Sequence, residues 1–215
     1  MRWFGDLLVP APTMTLRLGV LISGGGSGME ALVHHQRAAP CGHETVIVVA
    51  DRPDIEGSAR AERLGIPNVI EPVAGSTRAA HERRVEQHLI DANVDLIVCS
   101  GWMRLLTPAF VDRWAPRILN IHPSLLPEFP GAHAHRDVLA AGVEVTGCTV
   151  HIIDAGMDTG PILAQEQVPV EPGDDVASLA ARVKAVEHRL YPEVLDRIAD
   201  GRLSLERVNL SPSDH

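Results

Sequence analysis

The chain of 215 residues has no uninterrupted apolar stretch of roughly 18 residues, so a membrane-spanning helix is not expected. It is short of positive charge. Nineteen Lys and Arg stand against 28 Asp and Glu, a net charge of −9, which argues against a nucleic-acid surface built to neutralise phosphates. A small anion remains possible as a ligand, because backbone N–H groups and a few local cations can hold one inside an acidic protein. Cysteines are few, odd in number and scattered, at Cys41, Cys99 and Cys148. With no CxxC and no Cys/His zinc spacing, they read as thiols in a reducing cytosol, and the expected location is cytoplasmic. The first 14 residues contain Asp6 and two prolines, which break any secretory apolar core. Residues 1–14 are therefore expected to be a loosely ordered extension, 15–202 a single domain and 203–215 a tail. Internal repeats and Walker-type Gly-Lys-Ser/Thr are also lacking.

What is present is alternation. Short apolar runs at 16–22, 44–51 and 95–101 read as buried strands, and "IPNVIE" as a shorter one. Between them, 28–39, 57–65 and 76–93 read as helices, with Gly65 closing the second and Ser/Thr capping the third. Such alternation implies right-handed βαβ units on a mostly parallel, twisted, Rossmann-like sheet. Two extended runs, 145–154 and 160–170, then flank a glycine-rich loop and read as an antiparallel extension. A last helix is expected over 178–198, kinked or split at Pro192. The fold class is α/β.

"SGGGSG" (23–28) lies between the first strand and the first helix. Its glycines let a ligand approach the backbone, and the helix start offers N–H donors to a phosphate; a plain tight turn is the alternative. Gly26, Gly28 and Ala31 with Asp51 also make a weak dinucleotide fingerprint. Asn120 and His122, two apart at a strand end, share a face. An amide donor beside an imidazole suits a reaction in which an amine attacks a carbonyl and an oxyanion must be held. A histidine bonded to backbone is the bland alternative. The loop "IDAGMDTGP" (153–161) adds Asp154 and Asp158, and a carboxylate near His122 would favour the imidazolium.

Taken together, "VLISGGGSG", "VCSGWMRLLTPAF", "RILNIHPSLLPEFPGAHAHRDVLAAG", "VTGCTVHIIDAGMDTGPILAQ" and "VEHRLYP" resemble the folate-dependent formyl transferases, and among them the phosphoribosylglycinamide formyltransferases of purine synthesis. The resemblance covers roughly 17–200. It implies 10-formyltetrahydrofolate as co-substrate, phosphoribosylglycinamide as acceptor, no metal, no nucleic-acid partner, and a monomer or homodimer. His122 corresponds to the catalytic acid/base, Asn120 to the oxyanion and formyl donor, and Asp158 to the carboxylate that keeps the imidazole charged. Gly26, Ser27 and Gly28 correspond to the phosphate loop and Glu187 to the carboxylate on the ribose hydroxyls. Arg78, Met103, Arg104, Leu105 and Leu106, with Asn120 and Ala155, Gly156, Met157, Asp158, Thr159 and Gly160, correspond to the folate site.

Physical reading accompanies some of these roles. Leu179, Val183, Val186, Leu190 and Val194 form an inward helical stripe with Glu187 beside it, and a carboxylate there needs either ligand hydroxyls or an arginine. "GWMRLL" can form an apolar wall with one cation, or be an ordinary strand-to-helix connection. The family often carries Asn where this chain has Gly25 and Gly28, which puts side-chain contacts to substrate in doubt. His133 and His135 could join His122 around a metal, but no Cys or carboxylate completes that set. Four rival readings stay distinguishable. A formyltetrahydrofolate hydrolase could use the same Asn, His and Asp on water. A nicotinamide-dependent dehydrogenase would put Asp51 on a ribose. A folate-binding module would tolerate loss of His122. A tRNA formyltransferase would need an RNA-binding domain after the last helix.

Overall fold

The computed structural model describes residues 15–207. The expected extension 1–14 and most of the expected tail lie outside the described residues. In chain order the elements are β1 Leu16–Ile22, α1 Ser27–Ala38, β2 His43–Ala50, α2 Glu56–Arg63, β3 Asn68–Ile70, α3 Arg78–Asp91, β4 Leu96–Cys99, α4 Pro108–Trp114, β5 Ile118–His122, α5 Ala134–Ala141, β6 Val145–Ile152, β7 Ile162–Pro169 and α6 Val176–Ala199. A 3-10 turn, Leu205–Arg207, follows.

One seven-stranded sheet runs in the order β3-β2-β1-β4-β5-β6-β7. Pairings from β3 through β5 are parallel, and β5–β6 and β6–β7 are antiparallel. The expected parallel sheet with an antiparallel extension is therefore the observed fold. Alternate strand residues feed opposite faces. Leu18, Val20 and Ile22 of β1, with Leu96 and Val98 of β4, pack beneath α1, α2 and α6. Leu21, Ile97 and Cys99 pack on the other face with Val85 and Leu89 of α3 and Phe110 of α4. Helices thus cover both faces, as a buried parallel sheet requires.

Strand order reverses direction between β1 and β4. Loops leaving those two strands diverge, and the gap between them is where open α/β sheets place ligands. The sequence shows both loops: the glycine loop after β1 and "GWMRLL" after β4.

Four details differ from expectation. Helices α4 and α5 were not anticipated, although α4 carries its own start signal: Thr107 accepts the Phe110 N–H, and Pro108 follows at the first turn, where its missing N–H does no harm. Pro192 does not split the last helix, which runs unbroken over 24 residues. Leu190, Tyr191, Val194 and Leu195 are all buried around it, so packing on both sides of the proline holds the helix through the lost hydrogen bond. The strand expected to reach 101 ends at Cys99, because Gly101 has a left-handed φ of 73°. Leu203 and Leu205, from the expected tail, pack against the core.

Candidate active site

β5 ends at His122, buried, with Asn120 two residues before it on the same face. His122 Nε2 lies 2.8 Å from the Phe129 carbonyl oxygen. A carbonyl only accepts, so Nε2 carries the proton. Nδ1 lies 3.3 Å from Asp158 Oδ2. An N–H on Nδ1 would make that second contact a donor to the carboxylate. Asp158 borders the cleft and Phe129 does not, which makes Nδ1 the nitrogen turned toward it. Asp158 Oδ2 also accepts the Gly131 N–H at 2.8 Å.

Both partners of His122 sit on unusual backbone. Phe129 has φ 53° and Asp158 has φ 56°, left-handed conformations that L side chains rarely adopt. Strain of this kind persists where surrounding contacts over-determine it, and it collects at working sites. Here those contacts are visible. Thr149 Oγ1 donates to the Ser124 carbonyl and accepts the Leu126 N–H, and Gln165 Nε2 donates to the Leu126 carbonyl. Strands β6 and β7 thereby pin the proline-rich loop that carries Phe129. Asp154 braces the other loop, accepting from Gly156 N–H and Thr159 Oγ1.

Sequence reasoning did not single out His151, and the structure places it inside the constellation. It lies directly opposite Asn120 in the β5–β6 register. Its Nδ1 lies 3.0 Å from its neighbour's carbonyl, Ile152, and its Nε2 lies 3.1 Å from Asn120 Nδ2. The carbonyl forces the proton onto Nδ1, so Nε2 accepts from the Asn120 amide. Burial lowers the His151 pKa and keeps this neutral tautomer. Its effect is to turn the Asn120 amide: one N–H goes to His151, leaving the other for a ligand. Register between β5 and β6 created this pair, and no motif within "VHIID" marks it.

The cleft beside these residues has a volume of about 290 Å³. Of the expected folate-site residues, Met103, Arg104, Leu105, Leu106, Asn120, Gly156, Met157 and Asp158 line it, along with His122 and His151. Met103 is 66% exposed and Met157 51%, apolar surface that a flat ring can cover. Trp102 also lines the cleft, and its buried Nε1–H has no partner among the described residues. Arg104 donates to Asp51 at 2.6 Å. Asp51 is buried; burial opposes its ionisation, but hydrogen bonds from Arg52, Arg104 and Ser23 outweigh it and hold the carboxyl below its usual range. Asp51 is thus committed to bracing Arg104, which removes it as the ribose carboxylate of a dinucleotide site. Ala155, Thr159 and Gly160 shape the loop without lining the cleft. Arg78 is exposed as the first residue of α3, outside the lining.

Gly26, Ser27 and Gly28 form a second region. Gly26 caps α1 with φ 68° and no side-chain hydrogen bond, so the first-turn N–H groups are not capped by a side chain. A Cβ on Gly26 would lie 2.6 Å from the Gly57 Cα, which is why the turn needs glycine. A Cβ on Gly25 would meet open space, whereas one on Gly28 would lie 2.5 Å from Ser100 Oγ. An Asn fits readily only at the former. Helix α6 reaches this loop: His188 Nε2 lies 3.3 Å from Ser27 Oγ. Beside it, half-buried Glu187 forms no ion pair among the described residues, and burial pushes its carboxyl up to about 7. Lys184, one helical turn earlier, is the cation that sequence reasoning missed; it faces the same surroundings and partly offsets that rise.

The formyl transferase family pattern matches residues 16–195. Trifunctional purine biosynthetic protein adenosine-3 of Gallus gallus is 44% identical over 194 residues, which is 90% of this chain and 19% of that protein. The chain thus spans about a fifth of such relatives. Phosphoribosylglycinamide formyltransferase of Escherichia coli (strain K12) is 38% identical over 191 residues, covering 88% of this chain and 90% of that one. A solved structure, glycinamide ribonucleotide transformylase 1 from Symbiobacterium toebii, superposes with a TM-score of 0.87 at 42% identity, covering 91% of this chain and 92% of that one. The chain belongs to the formyl transferase family.

Proposed function

We propose that this chain transfers the formyl group of 10-formyltetrahydrofolate to the amine of phosphoribosylglycinamide. The observation that carries this reading is the convergence of His122, Asp158 and Asn120 on a cleft walled by apolar residues. The uncapped glycine loop and Glu187 supply a second region suited to a sugar phosphate. In this reading the folate ring lies against Met103, Leu105 and Met157, and the phosphate meets the N–H groups of Ser27 and Gly28.

The chemistry follows from proton balance. The attacking amine must lose one proton, and the departing folate nitrogen must gain one. As the amine bonds to the formyl carbon, the carbonyl oxygen becomes an oxyanion. The free N–H of Asn120 and the charged imidazole of His122 face that oxygen. One such donor is worth about 3 kcal/mol in the transition state. His122 Nδ1 then gives its proton toward the folate nitrogen as the carbon–nitrogen bond breaks. The proton released by the amine returns to the His122–Asp158 pair, directly or through water. Nothing is consumed at the site, as a catalyst requires. Fixing both reactants in line lowers the barrier further by removing the entropy of their encounter.

The test is tetrahydrofolate release, followed with and without phosphoribosylglycinamide. Release that depends on the nucleotide is the expected outcome. Equal release without it would make the protein a hydrolase of the folate and overturn the acceptor assignment.

A further inference from the structure

A second cluster of histidines lies at the opposite edge of the sheet. β2 begins at His43, so this is the amino edge, away from the crevice at the carboxyl ends. His35 on α1, Cys41 in the loop, His43 at the start of β2 and Asp196 on α6 each turn one donor atom to a common point, all within 4.8 Å of one another. His35 Nε2 lies 2.8 Å from Asp196 Oδ2, His43 Nε2 3.1 Å from Oδ1, and Cys41 Sγ 3.6 Å from Oδ1. The two imidazoles stack, with centroids 6.1 Å apart. None of these residues takes part in the proposed reaction.

We propose that His35, Cys41, His43 and Asp196 bind one zinc(II) ion that clamps the last helix to the amino-terminal half of the domain. Tetrahedral zinc with bonds of about 2.0–2.3 Å places its ligand atoms roughly 3.3–3.8 Å apart. The donors here need to open by about half an ångström on Asp196 and close by up to an ångström elsewhere. One thiolate, two neutral imidazoles and one carboxylate give a neutral site with zinc, and the thiolate selects it over hard oxygen-seeking cations. On binding, the Cys41 Sγ–H proton leaves to solvent, and each imidazole coordinates through Nε2 with its remaining proton on Nδ1. Four protein ligands leave no open position, which makes the site structural.

The surroundings fit. Gly42 lies so close to α6 that a Cβ there would sit 3.0 Å from Ala199 Cβ, so the loop is pressed onto the helix that supplies Asp196. Gln36 Nε2 lies 3.0 Å from His43 Nδ1, and Gln36 Oε1 accepts the Thr45 N–H. Gln36 is the positioning residue: coordination through His43 Nε2 puts a proton on Nδ1, so Gln36 turns its amide to accept it and gives up the Thr45 N–H, a cost that metal binding must exceed. Asp196 lies 153 residues beyond His43, which is why no metal spacing appears in the sequence.

The test uses the full chain, stripped with chelator and titrated with cobalt(II), then zinc(II). One equivalent of cobalt should give a thiolate-to-metal band in the near ultraviolet and tetrahedral visible bands, both abolished by zinc. Cys99 and Cys148 are buried and cannot supply that thiolate. Cys41→Ser should abolish the ultraviolet band, and Gln36→Ala should keep it while weakening zinc roughly 10–100-fold. Zinc should raise the Tm of the parent and not of Cys41→Ser. A folded parent with no thiolate band and no zinc-dependent Tm would overturn the proposal, as would an equal response in Cys41→Ser. None of these readouts depends on formyl transfer.

Discussion

Two carboxylates in this molecule each stand between two imidazoles, at opposite edges of one sheet. Asp196 holds His35 at 2.8 Å and His43 at 3.1 Å. Asp158 stands 3.3 Å from His122 and 3.7 Å from His151. The tight pair is carried by helices and a strand start. The loose pair is carried by a loop in left-handed backbone and borders an open cleft. The same side chains therefore serve different ends. Where the carboxylate is closely held, its contacts bind elements together. Where it is held at arm's length, a proton and a ligand can enter.

The largest test of this difference is to remove the loose pair. His122→Ala and Asp158→Asn should each lower kcat for formyl transfer about 10²–10⁴-fold, the range for a lost acid/base group. Asp158→Asn is the cleaner variant, because its amide oxygen can still accept the Gly131 N–H. Its Tm should stay near that of the parent. Rates within tenfold of the parent would mean that Asp158 only shapes its loop. At the other edge, Asp196→Ala should leave kcat within about twofold. It should lower stability by about 1–3 kcal/mol, since buried His43 and half-buried Cys41 lose their shared acceptor. Denaturant unfolding reads this directly, and a fall in kcat larger than the fall in stability would break the contrast.

The two edges also differ in what the sequence discloses. Asn120 and His122 lie on one strand, so the two-residue repeat puts them on one face without further knowledge. The glycine-rich loop between two extended runs pointed to Asp154 and Asp158 alike, and only the family resemblance chose Asp158. His151 was not readable, because its meeting with Asn120 depends on strand register, which only the folded sheet fixes. The Asp196 cluster was invisible for a stronger reason: α6 returns across the sheet to α1, a contact with no local signal. Fold-level reading followed the same line. β1, β2 and β4 stand out as short β-rich runs with glycine at their ends. α5, eight residues after a proline-rich loop, shows too little periodicity to be seen.

His151 gives a sharper and smaller test. It touches Asn120 and turns its amide, so it is a positioning residue. His151→Ala should lower kcat about tenfold while leaving KM for the folate near its parent value, because the ring contacts lie elsewhere. Burial keeps His151 neutral, so the limbs of the kcat pH profile should not move. A shifted limb would assign it a proton-carrying role and remove the distinction from His122.

Glu187 completes the series as a carboxylate with no imidazole partner among the described residues. Burial raises its carboxyl from 4.5 to about 7 in the folded chain, with Lys184 opposing. A raised pKa means the folded state binds more protons than the unfolded one across the interval between those values. Stability therefore falls as pH rises from about 4.5 through about 7, and the loss is complete above it. Glu187→Gln removes the charge and keeps the shape. Its Tm should exceed that of the parent at pH 8, and the gap should shrink steadily below pH 7 and close by about pH 3, where both side chains are neutral in both states. If Glu187 grips ribose hydroxyls, the same change should raise KM for phosphoribosylglycinamide and leave KM for the folate unchanged. A gain in Tm at pH 8 together with a loss in acceptor binding would mean the carboxylate is kept for its ligand and not for the fold. A Tm gap that persists unchanged to pH 4.5 would show that burial of charge is not its cause.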